Sequence, residues 1–139
     1  MSDGDVIYQN GDSGAEAQAP NNGGVWFGNT ASGPCWRKWI AIDAATGAVD
    51  GVYMNCQGAS WVNFHVALTT SANVRLWGED TADGAVPTAT DENNQIGSAL
   101  TADGAVTVTE PYEFMKAEAT AATGALTVLA TAHYPNGRP

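Results

Sequence analysis

The stretch Ser60-Trp-Val-Asn-Phe-His-Val-Ala-Leu-Thr69 decides the fold class, because apolar side chains recur at every second position along it. Successive side chains of an extended chain point to opposite faces. One face therefore carries Val62, Phe64, Val66 and Leu68. The other carries Trp61, Asn63, His65 and Ala67. This period of two predicts a β-strand with one face in a core.

Turn signals lie on both sides of this strand. The string Thr-Ala-Asp-Gly-Ala-Val occurs at 81–86 and 101–106, and a softer version, Ala-Ala-Thr-Gly-Ala-Val/Leu, occurs at 44–49 and 121–126. Each copy places a small polar residue before a glycine, which adopts positive φ at little cost, and a β-prone aliphatic residue two positions later. The pattern predicts a hairpin-rich, all-β chain.

Short apolar runs between these turns recur about every ten residues, the spacing typical of a sandwich or barrel. The predicted fold is an antiparallel, jelly-roll-like β-sandwich with an extended N-terminal arm. We predict strands over 36–43, 48–53, 60–69, 73–78, 105–109, 112–120 and 125–134. The third and fourth of these are expected to pair as one hairpin, and the last two as another. Good helix formers fill 113–122, but the nearby Pro111 and the surrounding turns favour a strand there.

Three regions are expected along the chain. Residues 1–34 form the N-terminal arm, pinned at the apolar island Val25-Trp26-Phe27, although a disordered tail explains the same composition. Residues 35–134 form the β-sandwich domain, and residues 135–139 form a C-terminal tail. The acidic region 79–104, bounded by the two copies of the turn string, is expected to be the most exposed loop.

The composition argues against several kinds of partner. With 139 residues the chain is long enough for one domain with a real core, and fifteen acidic against five basic residues give a formal net charge of −10. Such a charge repels nucleic acid and anionic membranes, so neither is an expected partner. The N-terminus has no basic and apolar signal-peptide regions, which predicts synthesis in a cytoplasm. Cys35 and Cys56 are expected to be buried thiols, with a single disulfide as the alternative.

Residues suited to catalysis are few. His65 and His133 are better explained as sheet residues than as general bases, and no serine or cysteine lies in a nucleophile motif. The acidic residues of 79–92 could bind calcium weakly, but a solvated loop explains them better. We therefore predict that the chain is not an enzyme and has no catalytic residue, no metal and no cofactor.

Aromatic residues supply the candidate contacts. Trp36 and Trp39 lie in one predicted strand and point to opposite faces, so one of them is expected in the core. Trp61 faces away from the apolar stripe, and Trp77 points opposite to Leu76. Outward aromatic clusters indicate a subunit interface or a ligand platform; burial of both sheet faces would explain them as well. The candidate interface residues are Val25, Trp26, Phe27, Trp61 and Trp77.

Four stretches carry a likeness to a known family: Gly58-Ala-Ser-Trp-Val-Asn-Phe-His-Val-Ala-Leu68, Val74-Arg-Leu-Trp-Gly78, Ile96-Gly-Ser-Ala-Leu-Thr-Ala-Asp-Gly104, and Tyr112-Glu-Phe-Met-Lys-Ala-Glu118 followed by Gly124-Ala-Leu-Thr-Val-Leu129. Together they resemble the small β-sandwich virion proteins of tailed bacteriophages, in particular head decoration or cement proteins. The resemblance implies a capsid-bound protein, made in a host cytoplasm, that bridges subunits of the major capsid protein. It also implies a homo-oligomer, a dimer or a trimer, with the arm and the outward aromatics as contacts.

The sequence is also compatible with two other functions. A carbohydrate-binding module or tail-associated receptor-binding domain would use Trp61 and Trp77 as stacking surfaces. A small hydrolase would use acids of the 79–92 region, where it needs two positioned carboxylates.

Overall fold

The computed structural model of the chain describes residues 24–28 and 33–137. Most of the predicted arm, 1–23 and 29–32, and the end of the predicted tail, 138–139, lie outside the described residues. Within the described ranges all regular structure is β-strand, and no helix is long and apolar enough to cross a membrane. The strands are β1 (Val25–Gly28), β2 (Cys35–Ala45), β3 (Val49–Asp50), β4 (Met54–Asn55), β5 (Trp61–Leu68), β6 (Ser71–Glu79), β7 (Asn94–Gln95), β8 (Gly104–Val108), β9 (Phe114–Thr123) and β10 (Leu126–Tyr134).

The strands form two antiparallel sheets. Sheet I has the order β8-β5-β10-β2-β1. Sheet II has the order β3-β9-β6-β7, and β4 also pairs with β9. The predicted all-β sandwich is confirmed. The apolar island Val25-Trp26-Phe27 lies in β1, the edge strand of sheet I, which pairs with β2.

The core lies between the inner faces of the two sheets. Val62, Phe64 and Val66 of β5 are at most 1% exposed, as their alternation predicted. Val74 and Leu76 of β6 are equally buried and belong to the same apolar cluster. Because each sheet buries one face, side chains at alternate positions are left on the two outer faces.

Both predicted hairpins are wrong, because their strands lie in different sheets. β5 pairs with β8 and β10, and β6 pairs with β9 and β7. The short connection at Thr69–Thr70 crosses from sheet I to sheet II, and Gly124–Ala125 crosses back. The two crossings bind each other: Thr69 N donates to Ala125 O at 3.0 Å, and Ala125 N donates to Thr69 Oγ1 at 2.8 Å. Two consecutive strands in opposite sheets bury their apolar stripes against each other across the core. Pairing side by side in one sheet would not bring those stripes into contact.

Three further findings concern the second sheet. The segment rich in helix formers is the strand β9, as expected, because its Ala117 and Ala119 face the core. The predicted strand 48–53 is reduced to the two residues of β3, and the separate pairing of β4 on β9 begins only at Met54. The region 79–104 is not a loop throughout, since β7 and a bridge between Val74 and Leu100 join it to β6.

Candidate functional site

The outer face of sheet I carries a row of four aromatic side chains in register across four strands. Phe27 of β1 lies opposite Trp36 of β2, Trp36 opposite His133 of β10, and His133 opposite Trp61 of β5. The His133 ring stacks on Trp61, with centroids 5.2 Å apart and an interplanar angle of 15°. Trp36 approaches the other side of His133 at 5.4 Å. Phe27 is 42% exposed and Trp36 37% exposed, so the row is open to contact.

A second row of side chains lies beside the aromatic one and is polar. Lys38, Thr131, Asn63 and Thr107 lie opposite one another in neighbouring strands. Asn63 Nδ2 donates to Thr107 Oγ1 at 2.8 Å, and the ammonium of Lys38 lies 5.2 Å from the ring centroid of Phe27. These contacts position hydrogen-bonding groups directly beside the aromatic row, on the same face of the sheet.

The two rows enclose two adjoining depressions. One, of about 390 Å³, is lined by Trp61, Asn63, Thr107, Thr109 and Thr131. The other, of about 350 Å³, is lined by Phe27, Trp36, Lys38, Trp61 and Thr131. Because Trp61 and Thr131 belong to both, the depressions form one shallow feature. It is named the aromatic groove below.

The outer face of sheet I differs in charge from the rest of the chain. The sequence has fifteen acidic residues. None of the thirteen outward positions in the three central rows of this face is acidic, and Lys38 is the single lysine or arginine among them. Those positions, by the strand registers, are Val25, Phe27, Trp36, Lys38, Ile40, Trp61, Asn63, His65, Ala105, Thr107, Leu129, Thr131 and His133. A protein with strong negative charge thus presents one uncharged to weakly basic, aromatic face.

The candidate interface residues are divided between different surfaces. Phe27 and Trp61 both line the aromatic groove. Val25 is 9% exposed, opposite Lys38. Trp26 is half-buried at the edge of the core, 4.7 Å from the Tyr134 ring. Trp77 lies on the other sheet, so Trp61 and Trp77 cannot line one ligand groove.

Two members of the aromatic row, Trp36 and His133, were not among the candidate residues. The alternation in β2 leaves one of Trp36 and Trp39 outside, and the structure places Trp39 in the core at 2% exposure. His133 has the same parity as Thr131 in β10. Its position beside Trp61 follows from the pairing of β10 with β5, which no local pattern reveals.

A polar centre lies on the outer face of sheet II, around the fully buried Lys116 of β9. Its Nζ donates to Asp50 Oδ1 at 2.5 Å, to Glu92 Oε2 at 2.8 Å and to the carbonyl of Ala89. Burial alone would lower the pKa of Lys116, but the hydrogen bonds and charges of Asp50 and Glu92 outweigh burial and raise it. Lys116 is therefore a charged ammonium with three acceptors, an arrangement suited to holding segments together.

Carboxylate oxygens of Asp50, Glu92 and Glu118 lie within 4.8 Å of one another, a grouping that could hold a cation. The ammonium of Lys116 already bonds two of them, and Trp77 Nε1 donates to Glu118 Oε1 at 3.0 Å. The chain thus supplies its own cation to this cluster. Its geometry supports a structural role.

The segment 80–93, named the acidic loop, is exposed along most of its length, as predicted, and is also fastened to sheet II. At its two ends, the buried Glu79 accepts from Asn93 N at 2.9 Å, and Asp80 Oδ1 accepts from Glu113 N at 2.8 Å. Glu92 binds Lys116 in the middle of the sheet. Several acids of this region therefore hold the chain in place, while Asp83 and Asp91 stay exposed.

Both cysteines are buried and no disulfide joins them, which confirms the predicted thiols. Burial raises the pKa of the Cys56 thiol to about 12, against the smaller opposing effect of Arg37. A thiol with such a pKa is protonated, and hence a poor nucleophile, at neutral pH.

The comparisons with known proteins identify a fold. The chain matches no described protein family and no curated protein. Among solved structures it is similar to the SPBc2 prophage-derived protein YomS, with a TM-score of 0.56 and 16% identity over 76% of this chain and 99% of that chain. At this identity the two proteins share a fold, a β-sandwich. The neighbour is a prophage-derived protein, whereas the decoration family suggested by the sequence stays a prediction.

Proposed function

We propose that this protein is a non-enzymatic structural protein of a bacteriophage virion that decorates the head. It would sit on the capsid surface, stabilise the shell by bridging subunits of the major capsid protein, and act as a homo-oligomer. The observation that carries this proposal is the aromatic, carboxylate-free centre of the outer face of sheet I in a chain of net charge −10.

Desolvation explains why this face suits a protein partner. Burying an unpaired carboxylate in an interface is costly, whereas aromatic side chains gain most from burial and are enriched in interface cores. The acids elsewhere keep the unbound protein soluble and keep copies apart on their other surfaces. A shell presents the same partner surface many times. Contacts of modest strength, made by an oligomer, then add up through avidity.

The comparison with solved structures supports a phage setting. The similar fold belongs to a protein described as prophage-derived, and the likeness spans 99% of that chain. The sequence independently resembles β-sandwich proteins of phage heads. Both observations favour a phage protein, and the character of the groove favours a binding role over catalysis.

Binding to heads that lack this protein tests the proposal. Purified full-length chain is mixed with expanded empty heads of the phage that encodes it, and the bound fraction and the thermal stability of the heads are measured. We expect saturable binding and heads that resist heat better. Trp36→Ala and Phe27→Ala should each weaken binding about tenfold, the loss expected for a central aromatic contact.

Val86→Ala is the matched control, because Val86 is 47% exposed and lies in the acidic loop, away from the groove. It should bind like the wild type. Heads that stay undecorated would refute the proposed function, and three variants that bind equally well would show that the groove face is not the attachment surface.

A second function, glycan binding, is favoured by one observation. Trp61 and His133 form a flat stacked pair beside Asn63 and Thr131, which combines a stacking surface with hydrogen-bonding groups, as sugars require. A glycan array read together with tryptophan fluorescence tests this function. Binding that is lost in Trp61→Ala would support it, and silence across the array would exclude it for the glycans on the array.

A further inference from the structure

Strand β8 forms one edge of sheet I, and one of its two sides lacks a strand partner among the described residues. Gly104 to Val108 pair with Val66 to Val62 of β5 in an uninterrupted register. The other side makes no strand pairing and no backbone hydrogen bond with described residues. Alternate N–H and C=O groups of an edge strand point outward and can pair with another strand.

This edge lacks the features that normally keep sheet edges apart. Gly-Ala-Val-Thr-Val contains no charged residue and no proline, and its pairing has no bulge. The edge strands of sheet II, β3 and β7, are only two residues long, which protects them. The remaining edge strand, β1, adjoins residues outside the described ranges.

We propose that two copies of this chain associate through antiparallel pairing of their β8 strands. The two five-stranded sheets then become one continuous ten-stranded sheet. This inference deepens the homo-oligomer of the proposed function by naming the interface, and it relies on the proposed function only for the use made of the dimer.

The burial of β8 restricts the register of this pairing. Ala105 and Thr107 are exposed on the outer face, whereas Val106 and Val108 are half-buried toward the core. Residues directly opposite each other in an antiparallel pair share a face, and a slip by one residue exchanges the faces. A two-fold axis through Val106 keeps inner opposite inner and outer opposite outer, and it pairs all five residues. Ala105 then faces Thr107 of the second copy.

Charge favours the same register. Asp103 and Glu110 flank β8 and are the nearest acids on either side of it. With the axis through Val106, Asp103 lies opposite Thr109 of the second copy and Glu110 opposite Ala102. A slip of one residue toward the C-terminus would place Asp103 directly opposite Glu110, a destabilising pair of like charges. Two copies of a strongly acidic chain can therefore meet here without opposing carboxylates.

The pairing also joins the two aromatic grooves. Thr107 and Thr109 line the groove at the β8 end of the sheet. In the dimer this end of each groove adjoins the two-fold axis, on the same outer face. One dimer would thus present two adjoining grooves to a single flat partner, which increases avidity without further contacts.

Two double variants test the interface, and they differ only at residue 105. Ala105→Glu with Thr107→Glu places two pairs of glutamates opposite each other across the axis. Ala105→Lys with Thr107→Glu places two lysine–glutamate pairs there, and both variants lose Thr107, the acceptor of Asn63, alike. Dissociation constants are measured for the full chain by light scattering and native mass spectrometry. We expect a wild-type dimer and a dissociation constant about tenfold higher for the Glu/Glu than for the Lys/Glu variant.

Three outcomes would overturn the inference: a monomeric wild type, an oligomer that responds equally to both variants, or one that responds in the opposite order. Where a variant does not fold, hydrogen exchange of the wild-type amides decides. Protection at 104–108 should rise with protein concentration, and concentration-independent exchange would exclude the interface. A monomer that still decorates heads would overturn the β8 dimer and leave head binding intact. A β8 dimer that does not bind heads would overturn head decoration and leave the dimer interface intact.

Discussion

Replacing Lys116 by methionine should loosen the acidic loop from sheet II without altering the main core. Lys116 is 0% exposed, and its ammonium binds Asp50, Glu92 and the carbonyl of Ala89. Methionine keeps the apolar stem of the side chain but removes the charge and the three donors. Two carboxylates and one carbonyl then lose their partner.

The magnitude follows from how far these partners are solvated. Breaking a buried ion pair costs about 3–5 kcal/mol when the remaining charge has no contact with water. The Asp50 and Glu92 side chains are 38% and 26% exposed, so water recovers part of that cost. We expect a loss of about 2 kcal/mol in the free energy of unfolding, which corresponds to a fall in Tm of roughly 6 °C for a domain of this size.

Urea denaturation and hydrogen exchange measure the two consequences separately. Amides in 88–93 should exchange faster, because this part of the loop loses its bonds to Lys116. Adding Glu92→Gln to Lys116→Met should recover part of the lost stability, since it removes one of the unpaired charges. The control is Lys38→Met, which removes an exposed lysine on the other sheet and should leave stability unchanged. A Lys116→Met protein as stable as the wild type, with unchanged exchange in 88–93, would refute the anchoring role.

Three further predictions concern the turns and the buried titratable groups. Gly124→Ala should lower the free energy of unfolding by about 2 kcal/mol, because Gly124 has φ +79° and a Cβ would lie 2.4 Å from Thr69 Oγ1. Gly47→Ala, in the other copy of the same turn string, has open space around the new Cβ and should be neutral in thermal denaturation. Stability should fall as the pH rises from about 9 to about 12, because burial raises the pKa of Cys56 and of Tyr134, each to about 12. The unfolded chain then loses these protons at lower pH than the folded chain does. Tyr134→Phe should reduce this fall when it is measured as the urea midpoint against pH. A thiol reagent at neutral pH should label Cys56 only after unfolding, and rapid labelling of the native protein would contradict its burial.

Local pattern was enough to predict the strands but not their pairing. The alternation in β5 correctly assigned Val62 to the core and Trp61 to the outside, because side-chain direction in a strand depends only on the parity of the position. The links between β5 and β6 and between β9 and β10 were wrongly interpreted as hairpin turns. A short polar link is compatible with a hairpin and with a crossing between sheets. The choice depends on what each apolar stripe packs against.

The candidate site could be predicted only in part for the same reason. Phe27 and Trp61 were recognised as outward aromatics, yet their membership of one groove depends on two intervening strands that contribute Trp36 and His133. Lys116 gave no local signal of burial, because its partners Asp50 and Glu92 are 66 and 24 residues away along the chain. Contacts between such distant positions arise from the sheet order.

The sequence by itself determined the all-β class, the position of most strands, the burial of the β5 stripe and the strongly acidic character of the chain. These properties are local or additive: alternation, turn residues and formal charge can be read without knowing any partner. Only the tertiary structure decided which consecutive strands lie in opposite sheets and which aromatic side chains lie together on one face. It also decided where the acidic loop is fastened and which sheet edge has no strand partner among the described residues. Each of these depends on the register between strands distant in sequence, and register is set by the packing of whole faces against one another.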